Sequence, residues 1–327
     1  MNAIKAAIIG CGNIYENHAK AIKKYNGAEI LAFCDIKPDK AENAAAKYGG
    51  KATSDYKEIL EDEEINVVHI CTPHYLHTPM AIEALKHGKH VLMEKPVAMN
   101  YEEAEKLIKA ADESDKKIGV SFQNRYNNTS MKIKELIESG ETGPVLGARA
   151  FVTWNREGAY YTQSDWRGKW STEGGGVLIN QAIHTIDLLQ WFLGDIESIS
   201  GHASTKKLGD IIEVEDTAEA YIKFNSGADA LFYCSNCYAI NAPVFIEITC
   251  EKAILRQEDE LTVKWKDGRQ ETFREDNIIT GEKAYWGLGH SRLISDFYKI
   301  IEGNGKFSID PYEAAKSIKI IDEIRRA

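Results

Sequence analysis

Up to about residue 122 the chain alternates short apolar runs with stretches of helical period. Residues 4–9, Ile-Lys-Ala-Ala-Ile-Ile, form the first apolar run, and a helix-prone stretch covers 16–25. Further strand-like runs follow at 30–34, 51–53, 67–71, 91–93 and 118–122. Between them lie helix-prone stretches at 38–48, 56–62, 77–87 and 101–114. Continuous apolar runs, rather than runs alternating with polar residues, mark strands buried on both faces. Strands alternating with helices at this spacing predict a parallel, doubly wound sheet.

The pattern then changes. After one helix at 130–139, most segments are β-like: 145–154, 196–205, 214–224, 228–238, 244–250, 253–257 and 261–265. Asn225-Ser226-Gly227 and Asp267-Gly268 supply hairpin turns between successive runs. Hairpin succession predicts a large, mostly antiparallel sheet with one face to be covered. Helices near 180–193 and 290–302 are the expected cover. The fold class is therefore α/β, with a first domain at 1–123 and a second, α+β domain at 124–327.

The loop after the first strand reads Gly10-Cys11-Gly12-Asn13-Ile14-Tyr15. Glycines at this spacing let a backbone turn tightly and approach a pyrophosphate, with the next helix's N-terminus facing the negative charge. Gly10, Gly12, Asn13 and Ile14 are the cofactor candidates of this loop; a purely structural turn is the alternative. Tyr15 stands where a third glycine or alanine is usual. The second strand ends in Asp35, about 20 residues on, where a carboxylate binds a ribose 2′-hydroxyl and repels a 2′-phosphate. NAD is thus favoured over NADP, with Lys37 as the opposing feature. A turn residue ahead of Pro38 is the other reading of Asp35.

Two later stretches carry candidate chemistry. Gly88-Lys89-His90-Val91-Leu92-Met93-Glu94-Lys95-Pro96 is a buried strand that stops in a charged pair and a proline, delivering an ammonium to the carboxyl edge of the sheet. Ligands bind at that edge in open α/β sheets. Pro96 is expected to fix the backbone there through a cis bond. The second stretch runs from Glu173-Gly174-Gly175-Gly176 to Asp187. Read as one helix, it places Asn180, His184 and Asp187 on a single face, at i, i+4 and i+7. Polar groups aligned on an apolar helix are costly to bury unless paired, which points to a functional cleft.

Nearby lies an aromatic, polar segment with Trp154, Arg156, Tyr160, Tyr161, Asp165, Trp166, Arg167 and Trp170. Rings pack on sugar C–H faces and guanidinium groups bind oxygens, although subunit interfaces favour the same residues. Arg125, Tyr160, Trp166 and Arg167 join Lys95, Asn180 and His184 as substrate-binding candidates.

Composition narrows the partners. Forty Lys and Arg against 50 Asp and Glu give a net charge of −10. An acidic chain without a basic block argues against nucleic acid, and no apolar run is long enough to span a membrane. The first residues enter a strand directly, without a signal-peptide core, so the expected compartment is the cytoplasm. Six cysteines form no disulfide framework. Cys234 and Cys237 make one C-x-x-C inside a β-like run, where positions three apart face opposite ways; no metal is expected.

Taken together, Gly10-x-Gly12, Thr72-Pro73 with His77, Gly88-Lys89-His90-Val91 through Glu94-Lys95-Pro96, and Gly174-Gly175-Gly176 through His184-x-x-Asp187 resemble the glucose-fructose oxidoreductase/inositol dehydrogenase (Gfo/Idh/MocA) family, over essentially the whole length. The resemblance implies a Rossmann domain, an open-faced antiparallel sheet domain, and a nicotinamide cofactor bound between them. It implies that Thr72, Pro73, His77 and Glu94 lie at the cofactor, that Lys95 contacts the substrate hydroxyl, and that His184 is the general acid/base. Asn180 occupies a position that is often aspartate; asparagine orients a hydroxyl but holds no negative charge. Glu94 either pairs with Lys95 or shapes the nicotinamide site. The implied function is hydride transfer between a secondary alcohol of a sugar or polyol and NAD. An NAD-dependent glycosidase and a non-catalytic NAD sensor are the alternatives. The open sheet face leads to the expectation of a homodimer or homotetramer.

Overall fold

The computed structural model describes residues 3–275, 289–303 and 305–326. It divides into two compact units, Met1–Gln123 with Leu288–Ala315, and Asn124–Gly287 with Lys316–Ala327.

The first unit is built on six strands: β1 (Ile4–Ile9), β2 (Ala28–Cys34), β3 (Lys51–Thr53), β4 (Val67–Ile70), β5 (His90–Glu94) and β6 (Ile118–Ser121). All neighbours pair in parallel, in the order β3-β2-β1-β4-β5-β6. Every residue of β4 and β6 is buried, as continuous apolar strands between two helical layers must be. The strand order reverses between β1 and β4, so the crevice at their carboxyl ends is the ligand position of a doubly wound sheet.

Local signals set the helices. α1 (Tyr15–Lys24) follows the glycine loop, and α2 (Pro38–Tyr48) starts with proline in its first turn, where no amide partner is lost. α3 (Tyr56–Glu61) is capped by Asp55, whose side chain accepts from Lys57 N–H. α4 (His77–Lys86) buries Ala81, Ala84 and Leu85. α5 (Tyr101–Asp112) is capped by Asn100, carries Glu102 and Glu103 in its first turn, and buries Ala104 and Leu107 three residues apart.

In the second unit, α6 (Asn128–Glu138), α7 (Gly158–Thr162), α8 (Val177–Asn180) and α9 (Ile183–Leu193) accompany an eight-stranded sheet. Its strands are β7 (Val145–Thr153), β8 (Ile196–Ser204), β9 (Thr217–Phe224), β10 (Asp229–Ser235), β11 (Phe245–Cys250), β12 (Ala253–Gln257), β13 (Leu261–Trp265) and β14 (Gln270–Phe273). The order is β14-β13-β12-β11-β7-β10-β9-β8. Only β7 and β10 pair in parallel; the other pairs are antiparallel. One face is buried through Ala150, Val152, Ile222, Phe232, Ile248 and Leu255, while Tyr221, Leu231 and Ile254 on the other are exposed. Cys234 lies on the buried face; Cys237 falls beyond the end of β10, and both are free.

Two expectations change. The sequence places 124–327 in one domain and uses the helix near 290–302 as cover for its sheet. That helix, α10 (Gly289–Gly303), belongs to the first unit instead. Its Tyr298 hydroxyl bonds His69 on β4 at 2.7 Å, and Phe297 meets Phe307 edge-on at 5.2 Å. After it, Ile309 accepts a bond from Val120 of β6 at 3.0 Å. The final helix α11 (Pro311–Arg326) and the short strand β14 are additions to the sequence reading.

Candidate active site

In the first unit the glycine loop is shaped by two different demands. Gly10 has φ +98°, and a Cβ there would lie 2.6 Å from the Cys71 carbonyl. Only glycine fits. At Gly12 a Cβ would meet nothing within 4 Å, so no protein atom requires a glycine. The bare space at Gly12 suits close approach of a ligand to the backbone. Asp35, at the end of β2, accepts from the Cys11 N–H at 2.8 Å and from the Lys37 N–H at 2.9 Å. It therefore ties the loop to the strand end with one bond on each oxygen. Tyr15 takes the third fingerprint place because its ring is used in packing, edge-on to Phe33 at 6.2 Å and Tyr48 at 6.3 Å. Asn13 is exposed, and Ile14, the residue before α1, provides no side-chain cap. Uncapped amides, an open glycine and a carboxylate at the next strand end fit a dinucleotide.

Thr72 and Pro73 follow β4, and the Lys95–Pro96 peptide after β5 is cis. Buried His77 joins these two segments: Nδ1 lies 2.8 Å from the Pro96 carbonyl and Nε2 lies 2.8 Å from the Thr72 carbonyl. Carbonyls only accept, so only the imidazolium donates to both. Burial opposes that charge and pushes the pKa of His77 down.

Glu94 is not held by its neighbour Lys95 but by two histidines. Its Oε1 lies 2.9 Å from His18 Nε2 and 3.3 Å from His290 Nε2. His18 Nδ1 in turn meets His69 Nδ1 at 2.8 Å, and His69 Nε2 meets the Tyr298 hydroxyl at 2.7 Å. One set of tautomers satisfies the whole row: Tyr298 donates to His69, His69 to His18, and His18 to an ionised Glu94. Burial alone would raise the Glu94 pKa, but bonds from His18 and His290 outweigh it and hold the carboxyl well below its usual range. Burial lowers His18 and His69, which keeps both rings neutral. Three of these groups, His18, Glu94 and His290, are close enough to form a metal-ligand set. The hydrogen bonds account for their arrangement without an ion.

The second unit carries the remaining candidates. Asn180 is the last residue of α8, while His184 and Asp187 lie on α9, after a break at Gln181 and Ala182. The single helix face expected for the three is thus not formed. Ala182 N–H bonds Val177 at 2.8 Å, closing α8, and Ile186 N–H bonds Ala182 at 3.0 Å, opening α9. His184 is buried at 8% exposure. Asp187 turns to Arg125 and takes its Nε at 2.8 Å and Nη2 at 2.6 Å, an ion pair buried on both sides. Arg125, expected among the substrate contacts, commits this bidentate fork to holding α9.

Asn180 faces Glu173, whose Oε1 accepts from Nδ2 at 2.5 Å; the same amide nitrogen lies 3.4 Å from the Tyr160 hydroxyl. Gln181 Nε2 donates to that hydroxyl at 3.2 Å. Glu173 Oε2 accepts from the Gly168 N–H at 2.5 Å. Burial pushes the Glu173 carboxyl up to about 7, against these bonds and the nearby Arg167 charge. Glu173 is the group that the sequence reading passes over, because it precedes α8 and no local period marks it as buried. Two of the three glycines after it serve packing: a Cβ on Gly175 would overlap the Arg325 guanidinium, and one on Gly176 would lie 1.8 Å from the Glu215 carbonyl. Arg167 stacks over Tyr160 at 4.4 Å and Trp166 at 4.9 Å.

Residues 4–122 match the model of an oxidoreductase family with an NAD-binding Rossmann fold, and residues 130–256 match the GFO/IDH/MocA C-terminal domain. The chain is 30% identical over 260 residues to the D-glucoside 3-dehydrogenase of Escherichia coli, covering 73% of this chain and 71% of that protein. It is 31% identical over 238 residues to the scyllo-inositol 2-dehydrogenase (NAD(+)) of Bacillus subtilis, covering 69% of this chain and 65% of that protein. The matched stretches thus span about two thirds of these relatives. The crystal structure of the WlbA dehydrogenase from Bordetella pertussis, in complex with NADH and UDP-GlcNAcA, superposes with a TM-score of 0.85 at 29% identity, over 99% of this chain and 96% of that one. No helix among the described residues is long and apolar enough to cross a membrane. By its motifs, its two folds and these matches, the chain belongs to the Gfo/Idh/MocA family of oxidoreductases.

Proposed function

We propose that the protein is a dehydrogenase that transfers hydride between a secondary alcohol of a sugar, polyol or sugar derivative and NAD. The observation carrying this reading is the open glycine at the switch point of a 3-2-1-4-5-6 sheet, with Asp35 at the end of the next strand. The inositol and glucoside activities of the relatives support the substrate class. Gly10, Gly12, Asn13, Ile14 and Asp35 hold the dinucleotide, and Thr72, Pro73 and His77 shape the adjoining strand ends. NAD, when bound, supplies the hydride acceptor.

Lys95 places its ammonium on the substrate hydroxyl and stabilises the alkoxide as the proton leaves. His184 takes that proton. A neutral imidazole nitrogen is the acceptor that such a step uses. Asn180 orients the hydroxyl through an amide whose nitrogen is committed to Glu173. Glu94 sets the start of the Lys95 segment through its histidines. Arg125 acts as a positioning residue through Asp187. Tyr160, Trp166 and Arg167 line the substrate side. The exposed sheet face, with Tyr221, Leu231 and Ile254, suits burial against further copies in a homodimer or homotetramer.

The test is a panel of sugars and polyols with NAD or NADP, read as absorbance of the reduced nicotinamide, for the protein and its Lys95→Ala variant. Lys95→Ala is expected to lower turnover about 10²–10³-fold, the usual cost of one oxyanion donor, while NADH still binds. Unchanged turnover would remove Lys95 from the chemistry. Absence of any oxidised sugar would remove the reading.

A further inference from the structure

Six arginines of the second unit, Arg125, Arg149, Arg256, Arg269, Arg274 and Arg325, each meet a carboxylate at 3.4 Å or less. Among the described residues of this unit Arg156, Arg167 and the exposed Arg326 at the end of α11 form no such ion pair, and of these Arg156 and Arg167 lie together. Arg156 Nη1 donates only to neutral oxygens, the Asn155 carbonyl at 2.7 Å and Asn241 Oδ1 at 2.9 Å. Arg167 Nε is buried with no hydrogen-bond partner among the described residues. Both guanidinium groups lie over one ring: Arg167 is 4.4 Å and Arg156 5.4 Å from the Tyr160 centroid.

Aromatic contact favours each cation. It does nothing for their mutual repulsion. The carboxyl that Arg167 acts on is Glu173, whose oxygens accept from Gly168 N–H and Asn180 rather than from either guanidinium, and burial pushes it up to about 7. Two guanidinium groups without a carboxylate partner therefore share one ring in a chain of net charge −10. Its position is informative as well. The Tyr160 hydroxyl is bonded to Asn180 and Gln181, so the charge sits one side chain from the proposed hydroxyl-orienting group.

We propose that the substrate is an anionic sugar whose carboxylate or phosphate group is bound by Arg156 and Arg167. Planar guanidinium forks match both oxyanions bidentately. The proposal rests on the sugar dehydrogenase reading for its chemistry, and the anion site is testable without it.

The experiment compares sugars with their charged counterparts: glucose with glucuronate and glucose 6-phosphate, galactose with galacturonate, and inositol with inositol 1-phosphate. Initial NADH formation is measured for the whole protein and for Arg156→Gln, Arg167→Gln and Arg167→Lys. A charged sugar is expected to show at least a tenfold higher kcat/KM than its neutral partner. That ratio should fall tenfold or more in either Gln variant, recover in part in Arg167→Lys, and shrink with added salt. The carboxylate and phosphate arms identify which oxyanion is used. Equal rates for charged and neutral sugars, or Gln variants that lower both alike, would overturn the proposal and leave the dehydrogenase standing. If no sugar is oxidised, calorimetry with glucuronate and glucose 6-phosphate decides. Arginine-dependent binding keeps the anion site and removes the dehydrogenase reading, whereas no binding removes both.

Discussion

Glu94 in the first unit and Glu173 in the second are both buried carboxyl groups, 7% and 1% exposed. Each adjoins a proposed active-site residue, Glu94 through the chain to Lys95 and Glu173 through a hydrogen bond to Asn180. Their acidities nevertheless move in opposite directions. Glu94 is held well below the usual range and Glu173 is pushed up to about 7. Burial raises both, so the difference comes from the donors. Glu94 receives two imidazole N–H groups on one oxygen, backed by the His69–Tyr298 row. Glu173 receives one backbone N–H and one amide, and the Glu215 charge acts against it. Donor supply, not depth, decides which carboxyl stays ionised.

The largest expected effect comes from removing the better-supplied group. Glu94→Ala leaves two histidine donors without an acceptor in a buried site. Bonds to a charged group contribute about 1.5–3 kcal/mol each, so two predict a loss of about 3–6 kcal/mol. Urea unfolding at neutral pH measures it. Glu94→Gln should cost much less, because a single oxygen accepts both histidines and the amide retains an oxygen. Equal losses for the two variants would mean that the charge, rather than the acceptor, is what the histidines need.

The second effect concerns pH, and its sign separates the two groups. Glu94 has a lowered pKa in the folded state, so its stabilisation is present above the unfolded value and is lost as pH falls through the folded value. For Glu173 the folded pKa, about 7, lies above the reference value of 4.5. Between those values the folded state holds the extra proton, so this group lowers stability as pH rises through that window. The span corresponds to on the order of 3 kcal/mol. Glu173→Gln should erase that decline, so its stability relative to the parent protein improves between pH 4.5 and 7.5. A constant offset across the window would mean that Glu173 is ionised throughout.

These two carboxyl groups also mark how far the residues could be read before the fold was known. Glu94 sits in a strand-ending motif whose apolar run and charged stop are visible in the chain, and its lysine neighbour could be assigned a role. Its histidine partners could not: His18, His69 and His290 lie on three different elements, and α10 joins the first unit through long-range contacts that no local period encodes. The strands of both sheets were legible because alternation and apolar runs are local. The break after Asn180 was not, because an apolar helix pattern continues through Gln181 and Ala182 while the backbone bonds do not. Arg125 shows the limit in a different way. That Asp187, 62 residues on, takes its Nε and Nη2 is not visible in the chain. Glu173 was overlooked for the converse reason, since one carboxylate ahead of three glycines carries no sign that it will be buried.

The smallest effect tests the contact that distinguishes Glu173. Asn180→Asp replaces the donor on Glu173 Oε1 with a second carboxyl, while the Gly168 N–H bond to Oε2 is kept. Two carboxyl groups in contact share one proton, and the shared titration belongs to the pair. The apparent pKa near 7 should rise by about one unit, equivalent to about 1.4 kcal/mol. The pH at which stability stops declining then moves up by the same amount, read from unfolding midpoints between pH 5 and 9. If the profile of Asn180→Asp overlies that of the parent protein, the amide does not rest on Glu173 in solution. Asn180 would then orient its substrate without the support proposed for it.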